Sequence, residues 1–597
     1  MTTLPRAVFA LLVAATFGAF FLAQRLKNSP SVVQQFHLTP VFSPNHDGRF
    51  DRMYTSFRLK RADDVTVIVV DSKDDEVREL ASEQSVPAYT PVRYSWDGRR
   101  DNGTLASDGI YRIRVILTHQ GRSVVVPRST RLDVTPPHPL VTAIGPERSY
   151  GPELLPERGG KPAEIHLSAA GRHLLVTIYR MGPGRPQVVV PALPGVHDGA
   201  RTVFWDGTIS GRAASPGTYL VGVQVRDKAG NIGYAPALGR NGMPIAGYGQ
   251  TLAGRGGITV RYLAAEPPLA PTVAGQVATF GIDARGARYS WSVRRVGSGR
   301  ILKSGTGTRA IFHVHAPAGA AGVYLLQLSA AGHATTVPFT VQSPQARPVL
   351  VVLPVMTWQG RNPVDDDGDG LPNLLDRGVA AKLHRVYSGN GLPAGFAVHE
   401  APLLAWLDRD HHGYELTTDV ALAEGQGPKV AGHRGVLIPG DARWLPAKVQ
   451  RQLRAFVRGG GTVASFGTDS LRRQVSLTTT GRMIDPTPPA TTDIFGARLR
   501  PVLTTPAPTT ITSDRDDIGL FTNTNGAFTG FDTFESTASP GGIIVADAIN
   551  PGLQPVIAAT RVGKGLVLRY GLPQLATHLA DANVQALLEN TWTRLSR

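Results

Sequence analysis

No cysteine occurs in the 597 residues of this chain. That absence excludes disulfides, thiolate metal sites and cysteine nucleophiles, so every folded unit must be held by burial alone. Acidic residues are the minority charge: 46 Asp and Glu stand against 62 Lys and Arg, a formal net charge of +16. No basic run interleaved with aromatics and no nucleic-acid-binding module accompanies that excess. Two readings of the excess stay open, attraction to anionic envelope polymers or lipid headgroups and plain solubility, both ahead of nucleic acid. Long uncharged apolar runs are also missing, with one exception near the start. What is abundant is Gly (66) and Pro (46), the turn-rich composition of β modules.

The exception runs from Ala7 to Ala23, between Arg6 on one side and Arg25 and Lys27 on the other. Its length is about the minimum that crosses a bilayer core. A cleaved signal peptide has the same layout, but its cleavage site wants small residues at alternate positions, and "FFLAQR" offers Phe21. The expectation is an uncleaved signal anchor over residues 1–28, a transmembrane helix that makes the chain a single-pass cell-membrane protein. Basic residues flank the run on both sides, so orientation rests on the large turn-rich remainder, which argues for export.

Beyond the anchor the chain repeats itself. "YSWDGRRDNGTLASDGIYRIRVIL" around Trp96 returns as "VFWDGTISGRAASPGTYLVGVQV" around Trp205, and "AAGVYLLQLSAAG" keeps only Gly322 and Tyr324. Asp-Gly supplies a tight turn, and the stretch after Gly-x-Tyr alternates apolar and polar residues as a half-buried strand does. The Gly-x-Tyr landmarks Gly109, Gly217 and Gly322 recur at roughly the length of a β-sandwich. Pro-rich "DVTPPHP" (133–139) and "AAEPPLAP" (264–271) read as linkers. These landmarks predict three all-β sandwiches over 35–137, 138–264 and 266–342, with each Trp a core anchor. The motif "FSPNHDGRFD" (42–51), the W-D-G…G-x-Y pattern and "RDKAGN" (226–231) resemble the Ig-like domains of the flagellar-hook-capping type. The resemblance covers roughly residues 35–262 and implies an Ig-like fold in spacer or adhesive modules.

From residue 346 the pattern changes. "RPVLVVLPV" is apolar without alternation, as in a parallel strand covered on both faces. "HRGVLIPGDARWLPAKVQRQLRAFVRGGGTVASFG" reads strand, loop, helix, strand, with Val449, Leu453 and Phe456 on one helix face. An open α/β domain over 346–597 is predicted. Its segments "LPVMTWQGRNP", "GDARWLPAKVQRQLRAFVRGGGTVASFG" and "GKG…YGLP" resemble the C-terminal domain of the N,N-dimethylformamidase large subunit, a relative of class I glutamine-amidotransferase-like folds. The resemblance implies a Glu and an iron-ligating Tyr just before the Trp. Here Ala442 and Arg443 precede Trp444. A guanidinium has no free lone pair for a metal, and the amidotransferase route needs a cysteine, so the residues lean away from catalysis.

The catalytic candidate that remains is Ser465 at a strand end, without the flanking glycines of a nucleophile elbow; His433, His578 and Asp441 complete a triad only on paper. His313 and His315 in "HVH", and "DRDHHGYE" (408–415), lack a further ligand cluster and read as solvated polar stretches. "PVDDDGDGLPNLLD" (363–376) is more specific. Counting from Asp365, Asp365, Asp367, Asp369, Asn373 and Asp376 occupy positions 1, 3, 5, 9 and 12, with Gly370 at position 6. That is the spacing of an EF-hand-type loop wrapping one hard cation, with Leu371 offering its carbonyl. It resembles the calcium repeats of thrombospondin type 3.

The expectation is a membrane-anchored extracytoplasmic protein. Its Ig-like modules present a degenerate, non-catalytic α/β binding domain with a calcium loop to an envelope polymer or surface protein. No organic cofactor is expected. The alternative is an exported amide- or ester-bond hydrolase of the N,N-dimethylformamidase-like type.

Overall fold

The computed structural model describes residues 4–27, 32–145, 149–150, 161–244, 256–319, 321–539 and 541–597. The first element is a helix, Leu4–Lys27. The span expected from Ala7 to Ala23 lies in part outside the described side chains. Among the described residues, no helix is long and apolar enough to cross a membrane.

The next three units share one plan, a three-stranded sheet facing a larger one, five-stranded in the first and third units and six-stranded in the second. In the first, Val33–Leu38, Met53–Leu59 and Pro91–Trp96 oppose the sheet that contains Gly109–Leu117. In the second, Thr202–Trp205 and Gly217–Arg226 take the corresponding places. The third keeps Gly322–Ala330 in its five-stranded sheet.

The repeated motif is a cross-sheet clamp. Trp96 and Trp205 are each 1% exposed, so they are core anchors and not ligand platforms. Their rings meet Tyr111 and Tyr219 at 4.9 and 5.2 Å. Each indole Nε1 donates to a carbonyl three residues on, Arg99 at 2.7 Å and Thr208 at 3.1 Å. Each tyrosine hydroxyl donates to the carbonyl four residues back, Ser107 at 2.6 Å and Ser215 at 2.7 Å. Gly98 (φ +78°) and Gly207 (φ +74°) make the left-handed turn that aims the Trp inward. Removing the Tyr219 hydroxyl strands the Ser215 carbonyl in a closed corner. Tyr219→Phe is expected to cost about 1–2 kcal/mol, read from denaturant midpoints. A loss below the error of the measurement would show the corner to be decorative.

"FSPN" and "RDKAGN" meet, although one lies in the first unit and the other in the second. Asn231 Oδ1 accepts from Ser43 Oγ at 2.6 Å and Asn45 Nδ2 at 3.2 Å, and its Nδ2 donates to the Asp133 carbonyl at 2.7 Å. Asn231 is 3% exposed. A buried amide satisfied from both units fixes their joint.

The C-terminal unit is built on a nine-stranded mixed sheet. Five strands run parallel in the spatial order Tyr414–Thr418, Val349–Leu353, Gly435–Ile438, Thr462–Ser465 and Gly565–Tyr570. Four antiparallel strands, Gln554–Val562, Ile543–Ala548, Leu503–Thr512 and Ala527–Phe534, continue it. Leu350, Val352, Val436 and Val463 join Val449, Leu453 and Val457 of helix Ala447–Arg458 on one face. Val349, Val351, Leu437 and Ala464 join Val584, Leu587 and Leu595 of helix Ala582–Ser596 on the other. Burial on both faces is why these strands carry no alternation. Phe456, expected on the packed helix face, lies at that core's edge, only partly buried.

The same core runs without a break into the third sandwich, whose Phe280, Tyr289, Leu326 and Phe339 belong to it. Arg295 adds a two-pronged ion pair across the boundary, with Nε and Nη2 at 2.5 and 2.6 Å from the Asp408 carboxylate. The chain from 266 to 597 is thus packed as one body.

Candidate binding crevice and cation loop

Strand Val349–Leu353 lies between Tyr414–Thr418 and Gly435–Ile438, so the order of strands reverses beside it. Ligands of such sheets bind beyond the strands' carboxyl ends at that reversal. The chain leaving Leu353 turns into the short helix Val355–Gly360. Asp419, at the end of the neighbouring strand, accepts from the Met356 amide with both oxygens, at 3.1 and 3.2 Å. Trp358 Nε1 donates to Glu400 Oε1 at 3.0 Å. Burial pushes both carboxyls up to about 8. Glu400 Oε2 is buried with no hydrogen-bond partner. Gly440 sits so close to Glu400 that any side chain at 440 would collide with it.

A charged network closes the crevice floor. Asp441 Oδ1 accepts from the Thr468 amide at 2.8 Å, and Asp441 Oδ2 lies 3.5 Å from Arg361 Nη1 and 3.6 Å from Arg443 Nη2. Arg443 Nη1 is 3.5 Å from both Asp376 and Asp469. Arg473 pairs with Asp376 at 3.0 Å and also with Asp469, which Arg472 meets at 2.5 Å. His399 Nδ1 stands 4.0 Å from Asp441, its imidazolium disfavoured mainly by burial. Arg443, at the position where the family resemblance implies an iron-ligating tyrosine, is thus bound into carboxylate pairs.

The paper triad does not assemble. Ser465 is 1% exposed, and its hydroxyl is buried without a hydrogen-bond partner. His433 Nε2 pairs with Glu415 at 2.5 Å. His578 bonds the Gln574 and Gly530 carbonyls and stacks on Phe531. His313 and His315 do share a strand face, but bond Thr279 and the Gly275 carbonyl. In the 408–415 stretch, His412 lies between Trp406 and Trp592 and pairs with Glu589 at 3.1 Å. With Asp410 these form one of two described clusters whose atoms lie close enough to share a metal ion.

The second cluster is Asp365, Asp367 and Asp369, whose oxygens lie within 4.8 Å of one another. Asp365 organises the loop, accepting from Gly368 N at 2.6 Å and Gly370 N at 2.8 Å. Gly370 adopts φ +87°, the left-handed turn its position in the spacing requires. Burial, then mutual proximity, pushes Asp365 up to about 7, and burial lifts Asp369 to about 6. Asn373 accepts from the Asp366 amide and donates to Asp367 at 3.4 Å. Asp376 lies apart from the three, in the arginine network, and Leu371 packs with Tyr179, Met181 and Leu220 of the second sandwich. The loop therefore docks on that sandwich, where Gly257 N donates to the Gly368 carbonyl at 3.2 Å. A side chain at 257 would strike Asp365 and Gly370.

Sequence reasoning missed Arg361, Asp376's pairing and Glu400. The signal for Glu400 was available, since it is the one acid in the run "FAVHEAPLLAWL".

Residues 309–493 match the family model described as N,N-dimethylformamidase beta subunit-like, C-terminal, and residues 50–121 match the FlgD Ig-like domain. No curated protein matches the chain. Among solved structures, β-galactosidase from Bacillus circulans sp. alkalophilus is 13% identical, with 32% of this chain and 26% of that one covered and a TM-score of 0.23. The enzyme from Rahnella sp. R3 gives 11%, 32%, 26% and 0.23. A 1.5-MDa bacterial ice-binding adhesin gives 14%, 52%, 96% and 0.23. The chain spans about a quarter of the galactosidases it matches. At these scores the structural likenesses carry no argument. An FlgD-type Ig-like domain joined to a dimethylformamidase-like domain supports a multidomain protein of extracellular type.

Proposed function

We propose that this is an extracytoplasmic binding protein, held at the cell membrane by its N-terminal helix, whose Ig-like modules carry a non-catalytic C-terminal binding unit. The observation that carries the reading is Arg443. Its guanidinium stands where the family resemblance implies a metal ligand, and it is committed to Asp376, Asp441 and Asp469. A cation there excludes a second cation by repulsion. Metal analysis of the purified protein tests it: stoichiometric iron or zinc would sink the reading and favour a hydrolase.

The acidic loop is proposed as a calcium site. Three carboxylates within 4.8 Å of one another, with the ionisation of Asp365 and Asp369 disfavoured, are what a hard oxygen-seeking cation relieves. With Asp376 engaged elsewhere, the remaining ligands are the Leu371 carbonyl, Asn373 and water. Calcium at about a hundred times its dissociation constant is expected to stabilise the native state by about 2.7 kcal/mol. That amounts to a rise of several degrees in the melting temperature of the C-terminal body. Asp367→Asn with Asp369→Asn should abolish the rise. Identical melting in calcium and in chelator would rule the site out.

A further inference from the structure

Beside the arginine network a cavity of about 460 Å³ opens, a size suited to a small ligand or a chain end. Arg361 and Arg377 line it together with Asp376. Around it, the network sets Arg361, Arg443, Arg472 and Arg473 against Asp376, Asp441 and Asp469, so among these groups the cations outnumber the carboxylates by one. Asp376 spends its two oxygens on Arg473 and Arg443. Arg361 pairs at 3.5 Å with an Asp441 oxygen that Arg443 shares, and its side chain remains 36% exposed. Burial, then the neighbouring Arg443, makes that charge costly, which an incoming anion would relieve.

The rest of the wall decides what kind of anion fits. Pro183, Pro363 and Pro393 with Leu374 and Leu392 present an apolar surface. A uronic acid carries a rim of hydroxyls, for which this lining offers little beyond Ser388, since the Asn362 amide is already bonded to the Val386 carbonyl and the Ser388 N–H, and leaving hydroxyls dry is expensive. An amino acid at a chain end carries one carboxylate and one side chain. A guanidinium fork matches the first and the apolar wall matches the second. Pro183 belongs to the second sandwich, between strands Arg172–Met181 and Gln187–Val190, so the site is complete only while that module stays docked.

We propose that this cavity captures the carboxyl terminus of a peptide, with Arg361 taking the carboxylate and the Pro183, Leu374 and Leu392 wall taking an apolar last side chain. The inference rests on the reading of the crevice as a binding site, and it names the ligand class. The test uses the full-length protein and N-acetyl-Gly-Ala-Leu as probe, against its C-terminal amide and an unsaturated uronate disaccharide, by calorimetry. The free acid should bind at least tenfold tighter than the amide, as a charge-assisted pair implies. Arg361→Gln should erase that preference, and Arg377→Gln, at the rim, should weaken it with the fold intact. Equal binding of acid and amide, a preference that survives Arg361→Gln, binding of the disaccharide alone, or no binding at millimolar probe would each overturn the proposal. Mass spectrometry of the recovered peptide separates the two readings. Cleavage together with acid preference supports capture and sinks only the non-catalytic reading, whereas intact peptide without preference sinks capture alone.

Discussion

Asp493→Ala is expected to destabilise the C-terminal body by about 3–5 kcal/mol, because it leaves the Arg569 guanidinium buried without its counter-ion. Arg569 is 2% exposed and its Nη1 donates to Asp493 Oδ2 at 2.7 Å. The second oxygen of Asp493 accepts from the Phe495 and Ala497 amides at 2.8 and 2.9 Å, so the alanine also opens that turn. Against a domain stability of about 5–15 kcal/mol the loss is a large fraction of the whole. The effect comes from the stranded charge and not from any net worth of the pair. Arg569→Leu combined with Asp493→Asn, which keeps an acceptor for the two amides, should therefore recover much of it. Denaturant midpoints for Asp493→Asn, Arg569→Leu and their double form the cycle, with Asp493→Ala read beside it. A single-variant loss under about 1 kcal/mol would show that water reaches Arg569.

How far the sequence reveals this molecule depends on how local the responsible contacts are. The Trp-Asp-Gly…Gly-x-Tyr repeat was legible because its turns and hydrogen bonds close within four residues, Trp96 to Arg99 and Tyr111 to Ser107. The unalternating strand 349–353 was legible for the same reason, since cover on both faces is written into each of its residues. The motifs around Ser43 and Asn231 could be recognised, but their meeting could not, because 188 residues separate them. The acidic loop shows both limits. Its spacing predicted the Asp365, Asp367 and Asp369 cluster. It also placed Asp376 as the closing ligand, whereas Asp376 answers to Arg473, 97 residues on. The Pro-rich stretches were read from composition as linkers, which says nothing of whether flanking units touch. The shared core of the third sandwich and the mixed sheet was also out of reach, because contacts across that boundary, such as Arg295 with Asp408, span 113 residues.

The crevice joins these observations to a pH dependence. Glu400 is buried beneath Arg361 and Asp441, and burial is the largest influence on its proton, holding it up to about 8. In the unfolded chain the same carboxyl ionises near 4.3. The folded state thus keeps a proton that the unfolded state has lost between about pH 4.3 and 8, and stability falls as pH rises through that window. Below it, both states are protonated and the penalty vanishes. Asp419, also held up to about 8 by burial, adds a slope of the same sign. Glu400→Gln removes one of the two while keeping an oxygen to accept from Trp358 Nε1. The variant should gain on the parent by roughly 2–4 kcal/mol between pH 5 and pH 8. Urea midpoints at intervals across that range give the answer. A gap between variant and parent that stays constant with pH would mean that Glu400 ionises normally, and that the floor of the crevice is wetter than its packing indicates.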